Sequence, residues 1–490
     1  MKKISLKTTE LWAYNSKQIM EKKNICPCKL KRMFTHIYFP WDDSYDFERN
    51  YYSLKIQQRP LFIVQPINTH EIELILNYSD KKNLKLRICN GRHSTQLLTP
   101  DVLIDMSLMN KIKLKSNNLL YVEGGARQGQ VNEFLFKKSK LNHYSHFGHF
   151  NYGRIGPELS TGSTESVGIG GICSIGGIGN MRRTFGLTCD VIEGFKITLP
   201  PTFTSKAKTI FTNSSTNPDL FWALLGGGAN NFGVVSEVKL KLFEAGDLIE
   251  YSISWNWSEA IKIINLWSKT APTRPDAFTE ELNVSKNSSK LELHLQGLYQ
   301  IPLNQTCKEA MKIVKSNIEY LGGEQIISHP KKYSNIYLKL VKSRVYYNFS
   351  MIQSVFVNTI NSSAIVKFLE ISLKSLEANV SIGIELMGGM ISKSSIGCYA
   401  FRSSNYFITI SSGWNQLENS ASQENWINLV LSNFISNGIN GSYVGFPIAF
   451  EKLNKDLGNK IYYADSYDKL LQIKNYYDPK GILEYSGTLN

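Results

Sequence analysis

Eight residues around His93, Arg87-Ile-Cys-Asn-Gly-Arg-His-Ser94, are answered about eighty positions later by Val167-Gly-Ile-Gly-Gly-Ile-Cys-Ser-Ile-Gly-Gly-Ile-Gly179. Glycine at this density lets backbone N–H groups come close to a bound anion, since no Cβ blocks the φ > 0 turns that aim successive amides inward. A diphosphate is the guest such a cradle suits. A histidine beside it has three chemistries open to it: general base, metal ligand, or anchor of a covalently held cofactor. Residue chemistry alone leaves all three open.

Other ligand-type side chains invite a metal without the spacing to hold one. Cys26 and Cys28 stand one residue apart in Cys-Pro-Cys with no second ligand pair, short of the four ligands of a structural zinc site. His143, His146 and His149 recur every three residues, but Gly148, Gly153 and Pro157 argue against a helix there, and no carboxylate or cysteine is interleaved. No metal site is expected. Seven cysteines in 490 residues, an odd number, make no disulfide framework.

The loops need a frame to hold them. From about Arg59 the chain alternates strand-like and helical stretches, beginning with Leu61-Phe-Ile-Val-Gln-Pro66, a predicted strand that Pro66 ends. Asn68 and Glu71 form a capping box for a helix with Ile72, Ile75 and Leu76 on one face. Strands are predicted at 84–89, 102–106 and 119–122, a helix at 128–141, and irregular chain over 142–166. In Asn217-Pro-Asp-Leu-Phe-Trp-Ala-Leu-Leu-Gly226, Asn217 is the expected cap, Pro218 takes the first helical position, Asp219 complements the dipole and Gly226 ends the helix. After about Phe243 the glycine loops stop. Predicted strands at 248–255, 291–299, 380–386 and 406–412, with amphipathic helices at 259–267, 308–321, 364–376 and 424–434, suit an antiparallel sheet covered on one face. The chain also exceeds what one hydrophobic core normally serves, so a boundary near residue 245 is expected.

A formal charge of +14 raises the question of a polyanionic partner. The basic residues come in short groups such as Lys29-Leu-Lys-Arg32 and Lys331-Lys332, with no long basic run and no nucleic-acid-binding motif, so they read as solvated surface. The hydrophobic share of 42% is that of an ordinary folded protein. The N-terminus has lysines but no apolar core behind them, and no apolar run reaches membrane-spanning length. Neither a membrane nor nucleic acid is expected as partner, and the expected location is intracellular by default. Asn-x-Ser/Thr triplets such as Asn213-Ser-Ser215 follow from a composition rich in Asn and Ser.

Taken in order, the motifs carry more than any one of them. Arg59 to Pro66, Arg87 to Ser94, Val167 to Asp190 with Met181-Arg-Arg-Thr-Phe-Gly-Leu187, Asp219 to Val235, and Tyr462-Tyr-Ala-Asp-Ser-Tyr-Asp-Lys-Leu470 with Tyr476-Tyr-Asp-Pro479 resemble the FAD-linked oxidoreductases of the berberine bridge enzyme type, in the vanillyl-alcohol oxidase/PCMH superfamily. The resemblance runs from about residue 52 to the end and is diffuse between 246 and 440. It implies an α+β fold: a two-part PCMH-type FAD-binding domain plus a substrate domain whose antiparallel sheet is covered by helices. The implied division is an N-terminal extension over 1–51, the FAD-binding domain over 52–245, the substrate domain over 246–450, and a segment over 451–490 that returns to the FAD domain.

The same resemblance implies that His93 is the histidine joined to the flavin 8α-methyl group. Asn90, Gly91, Arg92, Ser94 and Thr95, with Gly168, Gly170, Gly171, Gly176, Gly177 and Gly179, would then hold the FAD diphosphate. Thr164 stands where many relatives carry a second, cysteinyl link, so one link is expected, and Cys173 reads as a packed thiol. Val167 stands where oxygen-reactive relatives carry a small residue. Leu225 replaces a common Arg and Arg92 a common Gly. At Ser442-Tyr-Val-Gly-Phe-Pro447, Phe446 takes the place of the family's usual catalytic tyrosine, and phenylalanine accepts no proton. Tyr443 and then Glu385, in Ile384-Glu-Leu-Met-Gly-Gly389, are the candidate bases. The implied activity is oxidation of an alcohol-type carbon of a small molecule, a sugar or secondary metabolite, by hydride transfer to FAD with oxygen as acceptor. The alternatives are a dehydrogenase with a quinone or protein acceptor, and a flavin-fold protein that has lost turnover and serves binding or assembly.

Overall fold

Phe62, Ile63 and Val64 are all buried, the continuous apolar run that a strand covered on both faces requires. In the computed structural model, which describes residues 6–93, 99–115, 118–141, 156–159, 161–162, 164–331, 347–375, 379–447, 460–484 and 489, they form one strand of a first sheet. Its strands are β1 (Ile37–Tyr38), β2 (Phe62–Val64), β3 (Leu86–Cys89) and β4 (Val102–Asp105), in the order β1-β2-β4-β3. β2, β4 and β3 run parallel and β1 is antiparallel to β2. The helix Thr69–Lys81 buries Ile72, Ile75 and Leu76. Asn68 caps it by accepting from the Glu71 amide, while the Glu71 carboxylate accepts from Ile67 N–H. Met20, Ile25, Leu30, Phe34 and Phe39 from the first fifty residues share this layer's core.

A second sheet is antiparallel throughout. It comprises β5 (Ile112–Lys115), β6 (Leu119–Glu123), β8 (Ile192–Leu199), β9 (Lys208–Thr212) and β10 (Val234–Lys241), in the order β5-β6-β10-β8-β9. The helix Gln128–Leu141 follows β6 as the periodicity predicts. Between them, β7 (Gly156–Glu158) pairs with β11 (Phe243–Ala245), so part of the stretch read as irregular is a strand. The expected cap at Asn217 does not form. Asn217 adopts a left-handed φ of 51° with no side-chain cap, and its Nδ2 donates to the Phe211 carbonyl. Pro218, whose fixed φ suits a first turn, starts the helix Pro218–Leu224 without that cap.

The third sheet has seven antiparallel strands: β12 (Leu248–Trp255), β13 (Phe278–Asn287), β14 (Lys290–Gln300), β15 (Glu324–Ile327), β16 (Phe349–Val357), β17 (Asn379–Leu386) and β18 (Tyr406–Trp414), in the order β15-β12-β14-β13-β17-β18-β16. Alternation decides its two faces. Leu282, Val284, Ile382, Ile384, Ile408 and Ile410 are buried on the side that the helices Ala260–Thr270, Ser362–Ser375 and Ser420–Ser436 cover. The intervening residues, among them Glu281, Glu385 and Thr409, point the other way. This is the expected α+β architecture with one covered antiparallel sheet.

Late in the chain the helix Tyr467–Tyr477 packs on the helix Pro218–Leu224. Leu483 then bridges Leu86 of β3 in parallel, with Leu86 N donating to Ile482 O and Glu484 N donating to Leu86 O, both at 2.8 Å. No helix among the described residues is long and apolar enough to cross a membrane.

Candidate active site

β3 delivers the His93 loop. Its end runs into Asn90-Gly91-Arg92-His93, and Arg92 takes a left-handed φ of 60°. The strain of that conformation is held down at the side chain, because the guanidinium donates to Glu48 at 2.9 Å and is ion-paired with the buried Asp105 at the end of β4. Gly91 lies against the second glycine run: a Cβ there would stand 2.2 Å from Gly168 N and 2.6 Å from Ser166 O, atoms of rigid backbone. The two motifs seen in the sequence therefore touch. His93 itself places Nε2 2.6 Å from Ser166 Oγ, and its ring stacks on Tyr52 with centroids 4.5 Å apart.

The loops open on a cavity of about 590 Å³ between the first two sheets and the third. Asn90, Gly91, Arg92, His93, Gly168 and Gly171 line it, together with Thr164 and Val167. Gly170, Gly176, Gly177 and Gly179 are not on its wall. Gly176 backs onto the Tyr399 ring and Gly179 onto the Thr161 backbone, so these glycines serve close packing. Ser94 and Thr95 lie outside the described residues, as do His143, His146 and His149. Among the described residues, no group of three or more His, Cys, Asp or Glu side chains could hold a metal. Cys173 is fully buried, and burial followed by the neighbouring Cys189 pushes its thiol up, as suits a packed residue.

Opposite the glycine loops stands the polar face of the third sheet. Glu281 on β13 is directly opposite Glu385 on β17, and both line the cavity with Phe407, Thr409 and Ser411 of β18. Gly383 lets two of these side chains close onto its backbone: a Cβ there would stand 2.7 Å from Thr409 Oγ1 and 2.9 Å from Glu281 Oε1. Glu385 pairs with Arg182 Nη1 at 3.0 Å, its own side chain 18% exposed. Burial pushes the Glu385 carboxyl up to about 7, against the downward pull of Arg182 and with a further upward push from Glu281. Arg182 is a strut as well as a counter-ion, since it donates to the carbonyls of Leu386, Gly179 and Glu280. Arg183 next to it donates to Met387 O and Arg274 O. The glycine wall and the sheet wall are thus held together by two buried guanidinium groups.

Tyr443 closes one side of the cavity. Its ring is 6% exposed, edge-on to Phe407 and to Phe446 with centroids 5.6 Å apart in both pairs. The Gly177 N–H donates to its hydroxyl oxygen at 3.3 Å. Phe446 lines the same wall and offers only ring atoms.

Both candidate bases and six of the twelve proposed cofactor contacts thus face one cavity. Several residues beside them escape a reading of motifs. Tyr52 arrives from the N-terminal segment, Ser166 sits just ahead of the glycine run, and Glu281 lies on an unanticipated strand. Gln128, the first residue of its helix, is fully buried. Both of its amide atoms, and Asn90 Oδ1, lack a hydrogen-bond partner among the described residues. Buried polar atoms without partners are costly and rare in folded proteins. In a cavity wall they fit a bound group that carries both donors and acceptors. Gly171, with only the Asn90 amide within 4 Å of where a Cβ would stand, leaves room for such a group.

Residues 60–202 match the FAD binding domain family model. The chain is 25% identical over 464 residues to the uncharacterized FAD-linked oxidoreductase YgaK of Bacillus subtilis, covering 91% of this chain and 95% of that one. It is 22% identical over 461 residues to a chitooligosaccharide oxidase of Gibberella zeae, covering 88% and 87%. Among solved structures, a chitooligosaccharide oxidase superposes with a TM-score of 0.79 at 20% identity, over 93% of this chain and 97% of that chain. A glucooligosaccharide oxidase from Acremonium strictum, described with a 6-S-cysteinyl, 8α-N1-histidyl FAD, superposes with a TM-score of 0.77 at 20% identity, over the same shares. At these identities the superpositions establish the fold.

Proposed function

Because the chain belongs to the FAD-linked oxidoreductases of the berberine bridge enzyme-like type, we propose that it oxidises an alcohol-type carbon of a small molecule, a sugar or secondary metabolite, and passes the electrons to dioxygen. Bound FAD would supply the hydride acceptor at N5 of its ring. Amides of the loop Asn90–His93 and of Gly168 and Gly171, with Asn90 Oδ1 and the Gln128 amide, which lack partners among the described residues, fit such a group, and His93 would hold it covalently. In the same reading residues 52–245 and 451–490 make the FAD domain and 246–450 the substrate domain.

One observation carries the reading: a glycine cradle and a carboxylate- and hydroxyl-bearing sheet face are opposite walls of a single cavity. On the substrate side, Glu385 is the proton acceptor. A base works best with proton affinity near the working pH, and burial sets the Glu385 carboxyl at about 7. It takes the hydroxyl proton as the carbon-bound hydrogen leaves. Tyr443, its oxygen fixed by the Gly177 amide, orients the same hydroxyl from the side. Thr409 and Ser411 offer hydrogen bonds to further hydroxyls, in keeping with the chitooligosaccharide and glucooligosaccharide oxidases among the relatives. Val167, a short side chain on the cavity wall, supports access by dioxygen.

The test begins with acid precipitation of the purified protein. Flavin is expected in the pellet of the wild type and in the supernatant of His93→Ala; colour in the His93→Ala pellet would remove His93 as the attachment point. Peroxide release is then expected on a sugar or related alcohol. Substrate-driven reduction of a quinone without oxygen uptake would replace the oxidase reading with a dehydrogenase.

A further inference from the structure

The geometry points to Glu281 as the residue that selects the substrate: its carboxylate takes a free ammonium group, so the preferred alcohol is a sugar with an unacylated amine on the carbon next to the one oxidised. The inference rests on the oxidation proposed above, with Glu385 as its base, and narrows the substrate class.

The charges on the two walls carry it. Arg87, Arg92 and His93 stand on the glycine side of the cavity, Glu281 and Glu385 on the sheet side. Arg92 is paired with Glu48 and Asp105. Glu385 has Arg182 at 3.0 Å, and Arg182 spends its other donors on the carbonyls of Leu386, Gly179 and Glu280. Among the described residues, no Lys, Arg or His forms an ion pair with Glu281. His294 stands diagonally from it on β14. Burial, however, lowers the proton affinity of His294 against the upward pull of Glu281 and Glu292, so at neutral pH it is no counter-ion. A carboxylate in a half-closed cavity without a counter-charge is unfavourable until a cation arrives. An ammonium answers it with charge-assisted hydrogen bonds; a hydroxyl or an acetamide offers only the weaker neutral kind.

Position sets where that amine must be. Glu281 and Glu385 are opposed on neighbouring strands, where Cβ atoms stand roughly 5 Å apart. The Glu281 carboxylate also leans over β17, the strand that carries Glu385, because Gly383 has no side chain to hold it off: Oε1 lies 2.9 Å from where a Cβ would be. An ammonium on Glu281 and a hydroxyl on Glu385 then belong to adjacent carbons of one small molecule. A second observation, independent of the acidic pair, points to a ligand between the walls. Gln128 on the far side is fully buried, and both of its amide atoms lack a partner among the described residues.

The experiment uses the full chain with its flavin. Peroxide release is measured at about pH 7 with glucosamine, glucose and N-acetylglucosamine, which share the C1 hydroxyl and differ at C2; an amine beside an oxygen-bearing carbon, like an α-amino group, keeps most of its proton there. Calorimetry with the 1-deoxy forms of glucosamine and glucose, which have no C1 hydroxyl to lose hydride from, reads binding alone. Glucosamine is expected to show a kcat/KM about tenfold or more above the other two sugars, through KM, and its 1-deoxy form a Kd lower by a similar factor. Glu281→Gln should bring both ratios to about one, whereas Glu281→Asp, which keeps the charge, should retain part of the preference. A merely structural role would weaken all the sugars alike. Equal Kd values, no binding of the amine, or a preference that survives in Glu281→Gln overturns this inference and leaves the oxidase reading standing. If Glu281→Gln does not fold, the wild-type ratios decide alone. Absence of both peroxide and flavin reduction with every sugar overturns the oxidase reading itself, and the two Kd values then decide for or against an ammonium at Glu281.

Discussion

Replacing Glu281 with Gln should make the enzyme work at lower pH. Glu281 and Glu385 are direct cross-strand partners, and Glu281 is the neighbouring charge that, after burial and against the pull of Arg182, raises the Glu385 carboxyl toward about 7. Opposed side chains on neighbouring strands have Cβ atoms roughly 5 Å apart. For carboxylates roughly 6 Å apart in a wet cavity of effective dielectric about 40, the repulsion is about 1.4 kcal/mol, or about one pKa unit. Glutamine keeps the shape and removes the charge. The acid limb of flavin reduction should therefore move from near pH 7 to about pH 6. At about pH 6 the wild type would hold roughly a tenth of Glu385 as carboxylate and the variant roughly half, so the variant should reduce its flavin about fivefold faster there and equally fast near pH 9. Anaerobic stopped-flow bleaching of the flavin on mixing with substrate reads this directly. An acid limb that stays in place or moves upward refutes the coupling, and a limb that survives in Glu385→Gln refutes Glu385 as its source. The same group has a stability signature of definite sign. Between its ordinary value of 4.5 and the folded value of about 7, the folded state keeps a proton that the unfolded chain has released. Its contribution to stability is thus full below that window, falls as pH rises through it and is level above.

Two further outcomes test the other walls of the cavity. Tyr443→Phe should slow reduction of the flavin by substrate by roughly tenfold to a hundredfold while leaving reoxidation by dioxygen within about twofold; equal effects on both half-reactions, or none on reduction, would take Tyr443 out of substrate handling. Gly383→Ala would place a Cβ 2.9 Å from the Glu281 carboxylate and 2.7 Å from the Thr409 hydroxyl, so both must shift, and should raise KM about tenfold with a melting temperature within a few degrees of wild type; an unchanged KM would mean that substrate does not touch these two groups.

How much of this the sequence discloses depends on whether a signal is local. The helix after β2 is legible because Asn68 and Glu71 satisfy orphan amides within one turn, and the His93 loop because glycine records a close approach wherever its partner comes from. Asn217 misleads, because the residue preceding a helix needs extended backbone to cap it and this one is left-handed. β13 hides behind Glu280, a charge on the apolar face. It is buried against Tyr251, Trp267 and Arg274, which supply the hydrogen bonds and counter-charge it needs. β16 lacks clean alternation because consecutive residues from Val355 to Val357 are buried on both sides. The contacts of His93 with Tyr52 and Ser166, and of Glu385 with Glu281 and Arg182, join residues from separate elements and leave no mark in local spacing.

The bridge between Leu86 and Leu483 also has a consequence in time. β3 is the edge of its sheet, and the backbone groups that cap this edge come from residues 482–484. A ribosome makes β3 hundreds of residues before them, so during synthesis that edge stands open, a template for wrong pairing. His93 hangs from the end of the same strand. The strand that carries the cofactor loop therefore gains its edge partner only after residues 482–484 have been made, and chaperone demand should fall when they emerge and dock.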